Sequence, residues 1–167
     1  MKTLILVRHA KSSWDNIELT DIKRPLNERG IKDAPFMGEI LNKQAVIPGL
    51  IISSPAERVM STAKIIAEKI NYPKSKIEIN EHIYRASYRD LYKVVKHLND
   101  KLTIVLLVGH NPELTDFLSS LTNAYVDDIP TTGICTIELN ISEWSEISEG
   151  CGKMISFEYP KKYSKLS

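Results

Sequence analysis

Short apolar runs alternate along the chain with amphipathic segments. The runs at 3–8 (TLILVR) and 103–108 (TIVLLV) are nearly all apolar, which is typical of central strands covered on both faces. This alternation predicts an α/β domain, a three-layer α/β/α sandwich with a central, mostly parallel sheet. The predicted strands are 3–8, 49–53, 103–108 and 134–139, with weaker candidates at 76–79 and 154–158.

The predicted helices have recognisable starts. Asn27 is placed to cap a helix that runs to about residue 42, and Pro35 is expected to kink or interrupt that helix. Ser54-Pro55 and Asn111-Pro112 each combine a capping residue with a proline at the first helical position. The apolar stripes that follow these starts at helical spacing are assigned to the core.

Composition narrows the class of protein. The chain has 167 residues, which fits a single domain, predicted here over residues 1–167. A formal net charge of +1 gives no electrostatic footprint for a nucleic acid or a membrane surface, so neither is expected as a partner. The apolar stretch before Arg8 is too short for a signal peptide and two cysteines are too few for a disulfide framework, so we expect a cytoplasmic protein.

Cationic and titratable side chains gather where predicted strands end. Arg8 and His9 come directly after the first apolar run, and His110 follows the run at 103–108 in the same way. Arg58 lies one turn into the helix after the second predicted strand. Because ligands of open α/β sheets bind beyond the carboxyl ends of the strands, we expect these four side chains at one edge of the sheet.

An anion would suit this edge. A cation in the first turn of a helix is mildly unfavourable, and an anionic ligand at the same place reverses the sign. Free backbone N–H groups and planar guanidiniums would then bind its oxygens together. Two arginines nearly neutralise a phosphate, which carries roughly −1.5 to −2 charge near neutral pH. The sequence therefore predicts a phosphate pocket.

Taken singly, each of these residues also fits a structural role. An Arg-His pair after a strand is commonly a solvated loop start. Arg58 has Glu57 and Glu28 as candidate surface partners, and His110 stands next to a helix cap. Only the convergence of all four on one sheet edge favours a functional site.

Five motifs follow one another along the chain: LVRHAKS at 6–12, RPLNERG at 24–30, SSPAERVMSTA at 53–63, VGHNP at 108–112 and PTTGI at 130–134. With these motifs the sequence resembles the histidine phosphatase superfamily, also called phosphoglycerate mutase-like. Within it the chain is most similar to the short phosphohistidine phosphatases of the SixA type. The resemblance reaches from the start of the chain to about residue 139 and implies the phosphoglycerate mutase-like α/β/α fold.

The resemblance implies a role for each residue of the predicted pocket. His9 would be the nucleophile that attacks phosphorus, and Arg8 and Arg58 would hold the equatorial phosphoryl oxygens. His110 would complete the cage and stabilise the developing charge, for which a protonated ring is useful. Two arginines nearby would disfavour a positive charge on His9 and so keep it nucleophilic. Glu81 occupies the place of the family's general acid, with a plain surface carboxylate as the alternative interpretation.

Further side chains are candidates for the rim of the pocket: Lys11, Ser12, Arg24, Asn111 and Thr132. Asp21 precedes Arg24 and could touch either the substrate or the next loop. A metal site made from His9, His82 and His110 would need carboxylate or thiolate ligands that the motifs do not supply. The sequence also has no GxxxxGK phosphate loop and no GxGxxG motif. No cofactor or metal is therefore expected.

Three hypotheses for the activity follow. The segment between the second helix and the strand at 103–108 is too short to build a lid, and an open site suits a protein that carries phosphohistidine. A phosphatase or mutase for a small phosphate ester is the alternative, with a stronger need for Glu81. A non-catalytic phosphate-binding adaptor ranks third, because the chain retains His9 and both arginines.

Overall fold

The computed structural model describes residues 1–164 as one six-stranded sheet between two layers of helices. The strands are β1 (Lys2–Arg8), β2 (Leu50–Ser53), β3 (Glu78–Ile79), β4 (Ile104–Gly109), β5 (Ile134–Leu139) and β6 (Gly152–Glu158). The α-helices are α1 (Glu28–Lys43), α2 (Glu57–Lys69), α3 (Tyr88–Lys96), α4 (Glu113–Thr122) and α5 (Pro160–Ser164), and none of them is long and apolar enough to cross a membrane.

The strand order is β3-β2-β4-β1-β5-β6. β1, β2, β3 and β4 run parallel to one another, whereas β5 is antiparallel to β1 and β6 is antiparallel to β5. The predicted α/β/α sandwich with a mostly parallel central sheet is confirmed. The last three residues of the predicted domain, 165–167, lie outside the described residues.

Both faces of the central strand β1 are buried, as its apolar sequence predicts. Leu4 and Leu6 pack in a core cluster shared with α3 and α4, whereas Ile5 and Val7 pack in a second cluster shared with α1 and α2. All four side chains are fully buried. Because successive side chains of a strand point to opposite faces, one apolar run anchors both helical layers. The backbone that leads into Arg8 is therefore held from both sides.

Helix α1 agrees with the sequence at its start and differs from it at Pro35. The Asn27 side chain accepts a hydrogen bond from the Gly30 N–H at 2.9 Å, which is the predicted cap. The helix continues through Pro35 without interruption, which corrects the expectation of a break. Met37 and Leu41 after the proline are buried against α2, and this packing outweighs the one backbone hydrogen bond that proline cannot donate.

Pro55 and Pro112, predicted as the first helical residues, lie just before the helices α2 and α4. α2 begins at Glu57, two residues after Pro55, and α4 begins at Glu113, one residue after Pro112. The Ser54 hydroxyl accepts a hydrogen bond from the Ala56 N–H at 3.2 Å. Ser54 therefore stabilises the turn that precedes α2 and does not cap the helix itself. This turn lies at the carboxyl end of the sheet.

Candidate active site

The carboxyl ends of β1 and β4 bring the two predicted histidines together. Arg8 pairs with Gly109 in the parallel ladder, and the His9 N–H donates to the Gly109 carbonyl at 3.1 Å. The ring centroids of His9 and His110 are 5.5 Å apart. These residues and Arg58 line one open cleft of about 1040 Å³, so the four side chains meet where the sequence predicts them.

His9 is held in one tautomer. Its Nδ1 lies 2.7 Å from the carbonyl oxygen of Ala10, and because a carbonyl only accepts, Nδ1 must carry the proton. The lone pair is then on Nε2. Burial lowers the pKa of His9 to about 4, with smaller contributions from Arg58, Arg8 and Arg24, while the Ala10 contact opposes the shift. The ring is neutral at neutral pH, and burial rather than the arginines is the main cause.

His110 is held by two neighbours. Its Nε2 lies 2.8 Å from the Ser54 hydroxyl, and its Nδ1 lies 3.4 Å from Nη2 of Arg58. Because a guanidinium only donates, Nδ1 accepts and Nε2 donates its proton to Ser54. Burial lowers the pKa of His110 to about 3, helped by His9 once that ring is protonated in acid and by the charge of Arg58. His110 is therefore neutral at neutral pH, whereas a protonated ring would be the useful form for stabilising developing charge.

The guanidinium groups of Arg8 and Arg58 are each held by hydrogen bonds to the surrounding protein. Nη1 of Arg58 donates to the Asp21 carbonyl at 2.8 Å and Nη2 to the Asp21 carboxylate at 3.1 Å. Nη1 of Arg8 donates to the Ile129 carbonyl at 2.7 Å. The Nε atoms of both are buried and have no hydrogen-bond partner among residues 1–164. Two guanidiniums that line one cleft with His9 are suited to bind an oxyanion.

Asp21 organises one wall of the cleft. Its carboxylate accepts hydrogen bonds from Arg58, from Nε of Arg24 at 3.2 Å and from the Tyr84 hydroxyl at 2.7 Å. Burial raises the pKa of Asp21, but the hydrogen bonds from Tyr84 and Arg58 outweigh it and lower the pKa to about 2. Asp21 is thus a permanent anion that positions Arg58, which excludes the Glu57 and Glu28 pairings considered from the sequence.

Glu81 lies apart from the other candidates. It opens a short 3₁₀ turn, is exposed to solvent and does not line the cleft. The same turn buries Ile83 completely and places the Tyr84 ring 5.6 Å from the His110 ring. Tyr84 is the site residue that the sequence did not indicate. The sequence feature that could have pointed to Tyr84 is its position directly after the apolar Ile83, a few residues beyond β3.

The predicted rim residues divide into two groups. Lys11, Ser12, Arg24 and Asn111 line the cleft. Thr132 is fully buried instead, and its backbone N–H lies 3.1 Å from the carbonyl oxygens of both Arg8 and His9, so it supports the backbone of the cage.

Acid should destabilise the protein through the two buried histidines. An unfolded histidine has a pKa near 6.5, whereas the folded pKa values are about 4 for His9 and about 3 for His110. Below pH 6.5 the unfolded chain gains protons that the folded chain does not bind, so the free energy of unfolding should fall as the pH drops from 6.5 to 4.5. The slope is limited to about 1.4 kcal/mol per pH unit for each histidine.

Urea unfolding of the wild type and of His9→Asn between pH 7 and 4.5 measures this slope. The substitution should flatten the slope, and the same substitution at exposed His82 should leave it unchanged. A slope that His9→Asn does not alter would contradict the assignment of a neutral, buried His9.

Part of the chain matches the model of a known protein family, and the whole fold is similar to solved structures. Residues 4–83 match the model of the histidine phosphatase superfamily (branch 1). An uncharacterised protein of Mycobacterium tuberculosis is 28% identical, over 93% of this chain and all of its own length.

Two solved structures share the fold over nearly the whole chain. A protein of Agrobacterium tumefaciens assigned as a SixA phosphohistidine phosphatase superposes with a TM-score of 0.79 and 24% identity, over 95% of this chain and 98% of its own. The protein histidine phosphatase SixA, in a complex with tungstate, gives a TM-score of 0.82 with 21% identity, over 96% of this chain and 98% of its own. These likenesses confirm the phosphoglycerate mutase-like sandwich.

Proposed function

Because residues 4–83 match the model of the histidine phosphatase superfamily, we propose that this chain removes a phosphoryl group from histidine of a protein, through a phosphohistidine intermediate on its own His9. The family supports phosphatase activity; the substrate, the intermediate and the residue roles are the proposal. The reaction needs no metal.

One observation carries the proposal. The Ala10 carbonyl fixes the proton of His9 on Nδ1, and burial keeps the ring neutral, so a lone pair on Nε2 is available for attack. An imidazole that is neutral and held in one tautomer is the form that a histidine nucleophile requires. The guanidinium groups of Arg8 and Arg58 line the same cleft as His9 and supply positive charge for the oxygens of a phosphoryl group.

The reaction divides into two displacements at phosphorus. In the first, the lone pair of His9 Nε2 forms a bond to phosphorus while the bond from phosphorus to the substrate nitrogen breaks, and the departing imidazole keeps the electron pair and takes a proton from solvent. In the second, water attacks phosphorus, the bond to Nε2 breaks, and inorganic phosphate and a proton are released. Arg8 and Arg58 neutralise the equatorial oxygens in both steps.

His110 responds to the bound group. It is neutral in the ligand-free cleft because burial and the nearby cations lower its pKa. A phosphoryl dianion would oppose those cations and raise the pKa of His110. Its ring, 5.5 Å from that of His9, would then donate a proton toward the phosphoryl oxygens as charge develops.

The position of Glu81 outside the cleft favours phosphohistidine over an ester. Glu81 is exposed outside the cleft, and Asp21 stays ionised because its pKa is about 2. An alkoxide needs a proton from a general acid as it leaves, whereas imidazole is a far better leaving group and depends less on one. The tungstate complex of SixA supports an oxyanion site in this fold, since tungstate is a tetrahedral oxyanion.

A panel of substrates tests the proposal. The protein is incubated in EDTA with a small protein phosphorylated on histidine, with free phosphohistidine and with sugar phosphates and nucleotides. We expect phosphate release in the absence of metal, fastest from the histidine-phosphorylated protein. Faster turnover of a sugar phosphate or nucleotide would contradict the substrate and favour the small-ester phosphatase or mutase, which a cleft of about 1040 Å³ could accommodate. No release from any of them would favour the phosphate-binding adaptor.

A further inference from the structure

A tryptophan stands exposed at the mouth of the cleft. Trp14 lines the cleft, yet 73% of its surface is accessible to solvent. It belongs to none of the hydrophobic core clusters among residues 1–164. An indole in this position gives little stability to the fold, because its apolar area is not removed from water.

The ring is nevertheless held in place. The guanidinium carbon of Arg24 lies 3.5 Å from the centroid of the Trp14 ring. Arg24 is itself buried and anchored, since its Nη1 donates to the Ser12 hydroxyl at 2.9 Å and its Nε to Asp21 at 3.2 Å. A cation over the face of an indole is attractive, so one face of the ring is fixed and the other is left to solvent.

Arg24 connects this ring to the phosphate cage. Nε of Arg24 and Nη2 of Arg58 both donate to the Asp21 carboxylate, at 3.2 Å and 3.1 Å. Trp14 is therefore linked to the cage through Arg24 and Asp21, and it lines the same cleft as His9.

The surroundings of Trp14 combine an apolar wall with positive charge. Pro25 and Ile31 line the same cleft, and the Ile31 side chain is 60% exposed. Three arginines beyond Arg24 and the exposed Lys11 line the cleft, against the carboxylates of Asp15 and Glu28. Such a surface complements an apolar side chain on a segment that also bears acidic residues.

Resting on the proposed function, we infer that the Trp14–Arg24 pair recognises the protein part of the substrate. An apolar side chain beside the phosphohistidine packs on the free face of the indole, and acidic side chains of the same segment face Lys11 and the arginines. Tryptophan and arginine are among the residue types that most often dominate protein interfaces.

The test compares turnover of a histidine-phosphorylated protein with turnover of free phosphohistidine. For Trp14→Ala we expect kcat/KM on the histidine-phosphorylated protein to fall about 10- to 30-fold, mainly through KM. The loss with free phosphohistidine should be at least about fivefold smaller. Trp14→Phe should recover most of the loss because it keeps an aromatic face. Ile47→Ala, which alters an exposed apolar residue that does not line the cleft, is the matched control.

Binding separates this inference from the proposed function. In a His9→Ala background, which does not turn over, adding Trp14→Ala should weaken binding of the phosphorylated protein by a similar factor. Wild-type protein that releases no phosphate from histidine would refute the proposed function, while the binding measurement still decides the role of Trp14. Equal losses on both substrates, no loss on either, or a larger loss with a nucleotide would each overturn the inference.

Discussion

Replacing His9 with alanine is expected to lower phosphate release from phosphohistidine by at least about 1000-fold. The substitution removes the only atom in the cleft that combines a free lone pair with a fixed direction, because the Ala10 carbonyl holds Nδ1 protonated and leaves Nε2 to react. Arg8 and Arg58 would still bind the phosphoryl group. We therefore expect binding of phosphate to survive while turnover is lost, as measured by isothermal titration and by a phosphate-release assay.

A chemical trap distinguishes loss of the nucleophile from general damage. Wild-type protein quenched during turnover of a ³²P-labelled substrate should carry an acid-labile label, as phosphohistidine does, and His9→Ala should carry none. His82→Ala is the matched control, because His82 is exposed and does not line the cleft, and it should retain the label and the rate. A labelled His9→Ala protein, or one that keeps its rate, would refute the role of His9.

Arg58→Ala should be the second most damaging change, lowering kcat/KM by about 100- to 1000-fold. Arg58 is 5% exposed, lines the cleft and contacts Nδ1 of His110. Its removal takes away positive charge where the transferring phosphoryl group gathers negative charge. It also leaves the Asp21 carboxylate, which accepts from Arg58 at 3.1 Å, as a repulsive neighbour of the substrate.

Lysine at the same position separates charge from geometry. Arg58→Lys keeps the charge but cannot bind Asp21 and a phosphoryl oxygen at once, so we expect it to recover only a small part of the loss. Arg89→Ala, at an exposed arginine of α3, should leave kcat/KM unchanged. Full activity of Arg58→Lys would contradict the paired geometry, and full activity of Arg58→Ala would remove Arg58 from the cage.

The sequence predicts those parts of the site that backbone position alone determines. Arg8, His9 and His110 follow strands whose apolar runs identify them as central, and neighbouring parallel strands end at the same edge. Arg58 follows from the helix after β2 in the same way. For these four residues, the strand or helix to which each belongs is enough to predict that they lie at the same edge of the sheet.

Contacts between loops could not be predicted in this way. Asp21 reaches Arg58 and Tyr84 through the packing of three separate segments, and nothing local to any of them indicates the others. The family resemblance made Glu81 a candidate general acid, with a surface carboxylate as the alternative; the 3₁₀ turn buries Ile83 and leaves Glu81 exposed to solvent. A turn of one or two residues decides which side chain enters the cleft, and the hydrophobic pattern does not resolve turns of that length.

The pairing of β1 with β4 also sets the point during synthesis of the chain at which the cage can form. A growing chain emerges amino terminus first, so His9 and Arg58 are synthesised well before the strand that leads to His110. Until β4 and then β5 emerge, β1 has no neighbour on either side and the His9 ring has no buried environment to lower its pKa. The cage of Arg8, His9, Arg58 and His110 therefore forms only once β4 has paired with β1.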